Sequence, residues 1–120
     1  MLQYSTDLQA AKSRYPFARW RDSGLEQYTD ESCAAIAGVF DRLISDLIEL
    51  GPQAAEGSKL DCFKRAILSL NEMNDSDPSL IETGEREDLC ELCNVIATAT
   101  GLDPAAYGDG EGPASEWRDW

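Results

Sequence analysis

The chain has 120 residues, 42% of them hydrophobic and 8% aromatic, which is one domain's worth and enough to bury a core without disulfide or metal staples. With 23 acids against 10 bases the net charge is −13 and the pI near 4.1, so the surface repels nucleic acid and anionic membrane and attracts basic partners. No apolar run approaches the roughly 18 residues that span a bilayer, and the opening MLQYSTDLQAAKSRY lacks the pattern of a secretory signal; the expected location is the cytoplasm.

In chain order the pattern is helical, with almost no alternation of apolar and polar residues. Thr6 and Gln9 have the spacing of a capping box and predict a helix from Thr6. Pro16 predicts a break at Tyr15, because a proline pushes its predecessor out of helical geometry. FARWRDSG then closes a short segment at Gly24.

The next segment, DESCAAIAGVFDRLISDLIELGP, places Cys33, Ile36, Ala37, Phe40, Leu43, Ile44, Leu47 and Ile48 on one helical face. Asp30 is its expected N-cap, and Gly51-Pro52 its stop. Ser58 is the expected cap of a second long helix whose stripe runs through Leu60, Phe63, Ile67, Leu70 and Asn74, with Asp61 and Arg65 paired on the outer face.

A loop over DSDPSLIE follows, with a short extended piece at Leu80-Ile81. Thr83 then caps a helix that runs to Thr100, stopped by Gly101 in a left-handed conformation with Leu102 packed behind it. Asp103-Pro104 starts a helical turn, YGDGEGP is a loop, and SEWRDW is a last short helix capped by Ser115. The expected fold is all-α: a compact bundle of about four main helices plus short helical turns, one domain over 1–120 with residues 1–28 as a basic, aromatic arm packed on it.

Charge is unevenly spread. Residues 1–28 hold four bases (Lys12, Arg14, Arg19, Arg21) against Asp7, Asp22 and Glu26. From Asn71 to Glu91 the balance reverses: Glu72, Asp75, Asp77, Glu82, Glu85, Glu87, Asp88 and Glu91 face Arg86 alone. Glu85, Glu87 and Asp88 in a first turn suit the positive end of a helix dipole. The others do not, and Glu87 with Glu91 is a like-charge i,i+4 pair that costs stability. A contiguous acidic face is the expected result, offset by the arm or by a partner.

Other chemistry finds little support. Zinc needs converging thiolates or imidazoles, but the chain has no histidine and only one close cysteine pair, Cys90 and Cys93. That pair sits about two turns into its helix among Glu87, Asp88 and Glu91, where a reactive thiolate is disfavoured. Cys93 and Cys33 fall on apolar stripes and read as core residues. A calcium loop starting at Asp75 fails at Leu80, where glycine is needed, and at Arg86, where glutamate is needed. The glycines of GDGEGP are interrupted by acids that repel phosphate. Paired carboxylates for sugar hydrolysis lack an aromatic cleft. No catalytic residue, metal or cofactor is assigned.

RYPFARWR interleaves aromatics with arginines, a texture found in single-strand nucleic-acid binders. Its simpler reading is that Tyr15, Phe17 and Trp20 pack on the bundle while the arginines pair with the chain's own acids. EWRDW puts Trp117 and Trp120 at i,i+3, either closing the bundle's end or forming an exposed anchor.

LSLNEMNDSDPSLIETGEREDLCELCNVIATATGLD with EWRDW, in the C-terminal half, resembles small acidic helical bacterial proteins of the toxin-immunity kind. The resemblance implies stoichiometric binding of a basic toxin, often a nuclease, through acids that mimic phosphates or plug its active site. The functional expectation is therefore a non-catalytic binding or inhibitor protein. Its partner-binding residues are Asp75, Asp77, Glu82, Glu85, Glu87, Asp88, Glu91, Trp117 and Trp120, and its partner is a basic protein. The alternative is a self-associating structural module, a homodimer in which acidity serves solubility alone.

Overall fold

The computed structural model describes residues 2–22, 29–76, 81 and 83–120. Its elements are α1 (Leu2–Ala10), a 3₁₀ turn (Ala11–Arg14), α2 (Phe17–Arg21), α3 (Asp30–Leu50), α4 (Glu56–Ser76), α5 (Thr83–Ala99), two 3₁₀ turns (Pro104–Ala106 and Gly108–Gly110) and α6 (Ala114–Trp117). The fold is an all-α bundle with no strand among the described residues. No helix of the described residues is long and apolar enough to cross a membrane.

The N-terminal segment starts earlier than its capping box implies. α1 begins at Leu2, so Thr6 lies inside it; burial of Tyr4, Leu8 and Ala11 on one face outweighs the local cap. The proline break falls where expected, with Tyr15 extended at ψ 129 between the 3₁₀ turn and α2. α2 stops at Arg21, and Gly24 lies outside the described residues. Phe17 and Trp20 are buried, and rings of Tyr15, Phe17, Trp20 and Phe40 form one cluster with the Phe17–Trp20 centroids 5.3 Å apart. The described part of the arm thus contributes Tyr4, Leu8, Ala11, Phe17 and Trp20 to the core.

α3 carries the expected stripe: Cys33, Ile36, Phe40, Leu43, Ile44 and Leu47 are buried. Its cap is Thr29, not Asp30, since Thr29 Oγ1 accepts from Ser32 N while Ser32 Oγ accepts from Thr29 N. That reciprocal pair satisfies two orphan groups at once, which a lone aspartate does not. Gly51, at φ 83, ends the helix. α4 begins at Glu56, two residues before the expected Ser58 cap; the Ala55 carbonyl accepts from Ser58 N and Lys59 N. Its buried face includes Phe63, Ile67 and Leu70 as expected, and also Lys59 and Asn71. Arg65 reaches across to Asp46 on α3 (3.5 Å), where a pair with Asp61 was expected.

α5 starts at Thr83, so Thr83 is its first residue and only Glu85 falls in the first turn. Leu89, Cys93, Ile96 and Thr100 are buried as its stripe requires. The helix ends as expected: Gly101 has φ 92, Leu102 N donates to Ala97 O (2.9 Å) and Gly101 N to Thr98 O (3.1 Å). Asp103 caps the following turn through Ala105 N. α6 begins at Ala114 after Pro113, which places Ser115 inside it, and ends at Trp117, which leaves Trp120 beyond the helix. A proline needs no N–H partner at a helix start, so it takes the position that Ser115 was expected to fill.

Two buried polar side chains lock these helices together. The Lys59 ammonium donates to Thr100 O (2.6 Å) and Pro52 O (3.1 Å), at the carbonyl ends of α5 and α3. A cation there meets the negative ends of two helix dipoles. The hydroxyl of Tyr4 joins the same corner, donating to Leu47 O (2.9 Å) and lying 2.6 Å from Thr100 Oγ1.

Candidate functional site

The acidic residues do not form a single free face. Asp88 and Glu91, one turn apart on α5, face the arm. Arg19 Nη2 lies 2.8 Å from Asp88 Oδ2, and the Trp20 indole N–H donates to the same oxygen at 2.9 Å. Arg14 Nη2 lies 3.3 Å from Glu91 Oε1. Nearby, Asp41 of α3 accepts from the Tyr15 hydroxyl (2.8 Å), with Lys12 at 3.9 Å. Burial and the hydrogen bond to Asp41 push the Tyr15 phenol well above its ordinary value. The cations of residues 12–19 are thus used within the chain, on acids of α3 and α5.

A second group of carboxylates remains without ion pairs among the described residues: Asp75, Glu85 and Glu87. Asp75 is exposed on the last turn of α4, Glu85 half-exposed on the first turn of α5, and Glu87 exposed one turn on. Asp75 and Glu85 lie where α4 finishes and α5 begins, where Ile81 N donates to Asn74 Oδ1 (3.4 Å). Glu87, two residues on, projects to another side of α5 and lines a cleft with Glu111. Asp77 and Glu82, of the same expected face, lie outside the described residues. α4 carries no basic residue in its last turn, so Asp75 and the neighbouring Glu72 sit at the negative end of a long helix dipole, the arrangement that costs stability.

A cleft of about 370 Å³ opens beside Glu91 on α5, lined also by Arg86, Glu87, Cys90, Glu111 and Arg118. Burial raises the Cys90 thiol above its ordinary value, against the pull of Arg118 and Arg86. Cys93, fully buried beneath, is raised further for the same reason. Neither thiol is activated as a nucleophile. Among the described residues no group of three or more His, Cys, Asp or Glu side chains is disposed to hold a metal ion.

Trp117 and Trp120 are half-buried and pack against the core. Asn71 of α4 holds their segment from both sides: its Nδ2 donates to Trp117 O (2.9 Å), and its Oδ1 accepts from Asp119 N (3.1 Å). Arg118 lies over the Trp120 ring at 5.8 Å and donates to Trp120 O (2.8 Å). Gly112 comes so close to Asn94 that a Cβ there would lie 1.9 Å from Asn94 Oδ1, and its φ of 120 suits glycine. Sequence reasoning missed Lys59, Asn71 and Asn94. Only Asn71 left a trace, one residue beyond the apolar Leu70 of its stripe.

Fold and surface together define an acidic helical bundle whose basic N-terminal segment is folded back on part of its own acidic surface. No protein-family model matches this chain, and neither does any curated protein or solved structure.

Proposed function

We propose that this chain is a non-catalytic binding protein that docks a positively charged protein, of the kind an immunity or inhibitor protein captures, through the bundle end where α4 meets α5. The observation that supports this reading is the contrast between its two groups of acids. Asp88 and Glu91 are matched by Arg19 and Arg14, whereas Asp75, Glu85 and Glu87 stay exposed or half-exposed without ion pairs among the described residues. Asp75 moreover lies where the helix dipole disfavours it.

A cationic partner is captured fast because the net charge of −13 steers it and the unpaired carboxylates receive it. Asp88 contributes to the field more than to direct contact, since Arg19 and Trp20 hold it, whereas Glu91 stays exposed beside Arg14. Trp117 and Trp120 offer half-buried rings nearby on α6 and beyond it, held in place by Asn71.

The test is a pull-down from the source cell's lysate with three baits: the wild-type chain, Glu85→Lys with Glu87→Lys, and an equal reversal at the other end of α3 and α4, Glu49→Lys with Asp61→Lys. A basic protein retained by the first and third baits and lost from the second, and weakened by salt, is the expected result. Equal loss from both reversed baits would mean that only net charge matters, and the docking reading would fall.

A further inference from the structure

A cleft of about 500 Å³ lies between α3 and α4 and runs along α4 as far as Glu72. Val39, Leu43, Ala66 and Leu68 make its apolar lining, and Gly38 leaves open space where a side chain would stand. Leu68 is 42% exposed, one of two large hydrophobic residues so exposed among those described. The rim carries two arginines around one aspartate toward one end and a lone glutamate toward the other. Arg65 and Arg42 stand toward one end, both near Asp46 at 3.5 and 3.9 Å, and Glu72 stands at the other with no ion pair among the described residues.

We propose that this cleft is a self-pairing surface, occupied by a second copy of the chain with the two α4 helices antiparallel about a two-fold axis beside Leu68. The sequence of α4 supplies the complementarity. Arg65 comes three residues before Leu68 and Glu72 four after it, so all three share one helical face. Antiparallel pairing about an axis between Leu68 and Ser69 brings Arg65 opposite the partner subunit's Glu72, and two-fold symmetry makes that contact twice. The two Leu68 side chains flank the axis, and the small residues Ala35 and Gly38 on α3 let the partner approach closely.

The size of the surface fits a weak, reversible pair. A helix of 21 residues is about 31 Å long, and two helices side by side are about 18 Å across. Roughly 500 Å² per copy is therefore available, near the lower limit of about 1,000 Å² in total for a specific interface. The net charge of −13 on each copy opposes association. The dimer belongs in the micromolar range or weaker.

The experiment is sedimentation of the full chain over a concentration series from micromolar to millimolar. The wild type is expected to dimerise reversibly, and Leu68→Asp, a change at an exposed position, to remain monomeric. Arg65→Glu alone and Glu72→Arg alone should each associate about tenfold more weakly. An equimolar mixture of those two variants should recover a one-to-one dimer, because each chain then offers the charge the other needs. Recovery by mixing cannot come from a folding defect. A wild type that stays monomeric throughout, or a mixture no tighter than its components, would overturn the proposal and leave the cleft to a different occupant. None of these substitutions touches Glu85 or Glu87, so the outcome is separate from that of the acidic-end reading.

Discussion

Trp20 and Asp88 stand 68 residues apart in the chain, yet the indole N–H of one donates to a carboxylate oxygen of the other at 2.9 Å. Arg19 converges on that same oxygen at 2.8 Å. The indole is buried and the carboxylate half-buried, whereas the Arg19 side chain is 70% exposed. The indole bond is therefore the one that matters for stability, and the ion pair is largely screened.

Asp88→Ala is expected to destabilise the protein by about 1–3 kcal/mol, the range for removing a charged acceptor from a buried donor. Arg19→Ala should cost less than about 1 kcal/mol. Urea denaturation followed by tryptophan fluorescence measures both. Equal losses from the two variants would mean that the ion pair, not the indole bond, anchors the arm.

Lys59 gives a second expectation. Its ammonium is buried and bonds only carbonyl oxygens among the described residues, those of Thr100 and Pro52, with the Tyr4 ring 5.7 Å away. Lys59→Met keeps the stem but removes two charge-assisted hydrogen bonds, and should cost about 2 kcal/mol by denaturant midpoint. Desolvating an ammonium is itself expensive. A neutral or stabilising methionine would show that this cost outweighs the two bonds.

The Tyr15 phenol makes stability fall at alkaline pH. Burial, then the hydrogen bond to Asp41, raises it above its ordinary 10.0, so the folded state holds this proton more tightly than the unfolded chain does. The contribution is therefore complete below pH 10 and is lost progressively above it, as the unfolded phenol ionises first. Ultraviolet titration should find that this tyrosine ionises only as the protein unfolds. Tyr15→Phe should flatten the decline of stability above pH 10 relative to wild type.

The helices, most of their inward faces and several of their ends are legible in the order of residues alone. Periodic apolar residues leave α3 and α5 little choice of orientation, Pro16 breaks the N-terminal segment by steric necessity, and Gly101-Leu102 closes α5 through backbone geometry that glycine adopts easily. Helix starts were less legible, because a cap needs only one oxygen near one N–H and several neighbours can supply it: Thr29 took the place of Asp30, and burial of Tyr4 and Leu8 carried α1 past Thr6. Which polar groups are used inside the molecule is settled by packing. Arg14 meets Glu91 across 77 residues, Asn71 grips Trp117 and Asp119 across 46 and 48, and Lys59 reaches Thr100 across 41. Such pairings depend on the distance between side chains after the helices have packed, and hydrophobic periodicity carries no record of that distance.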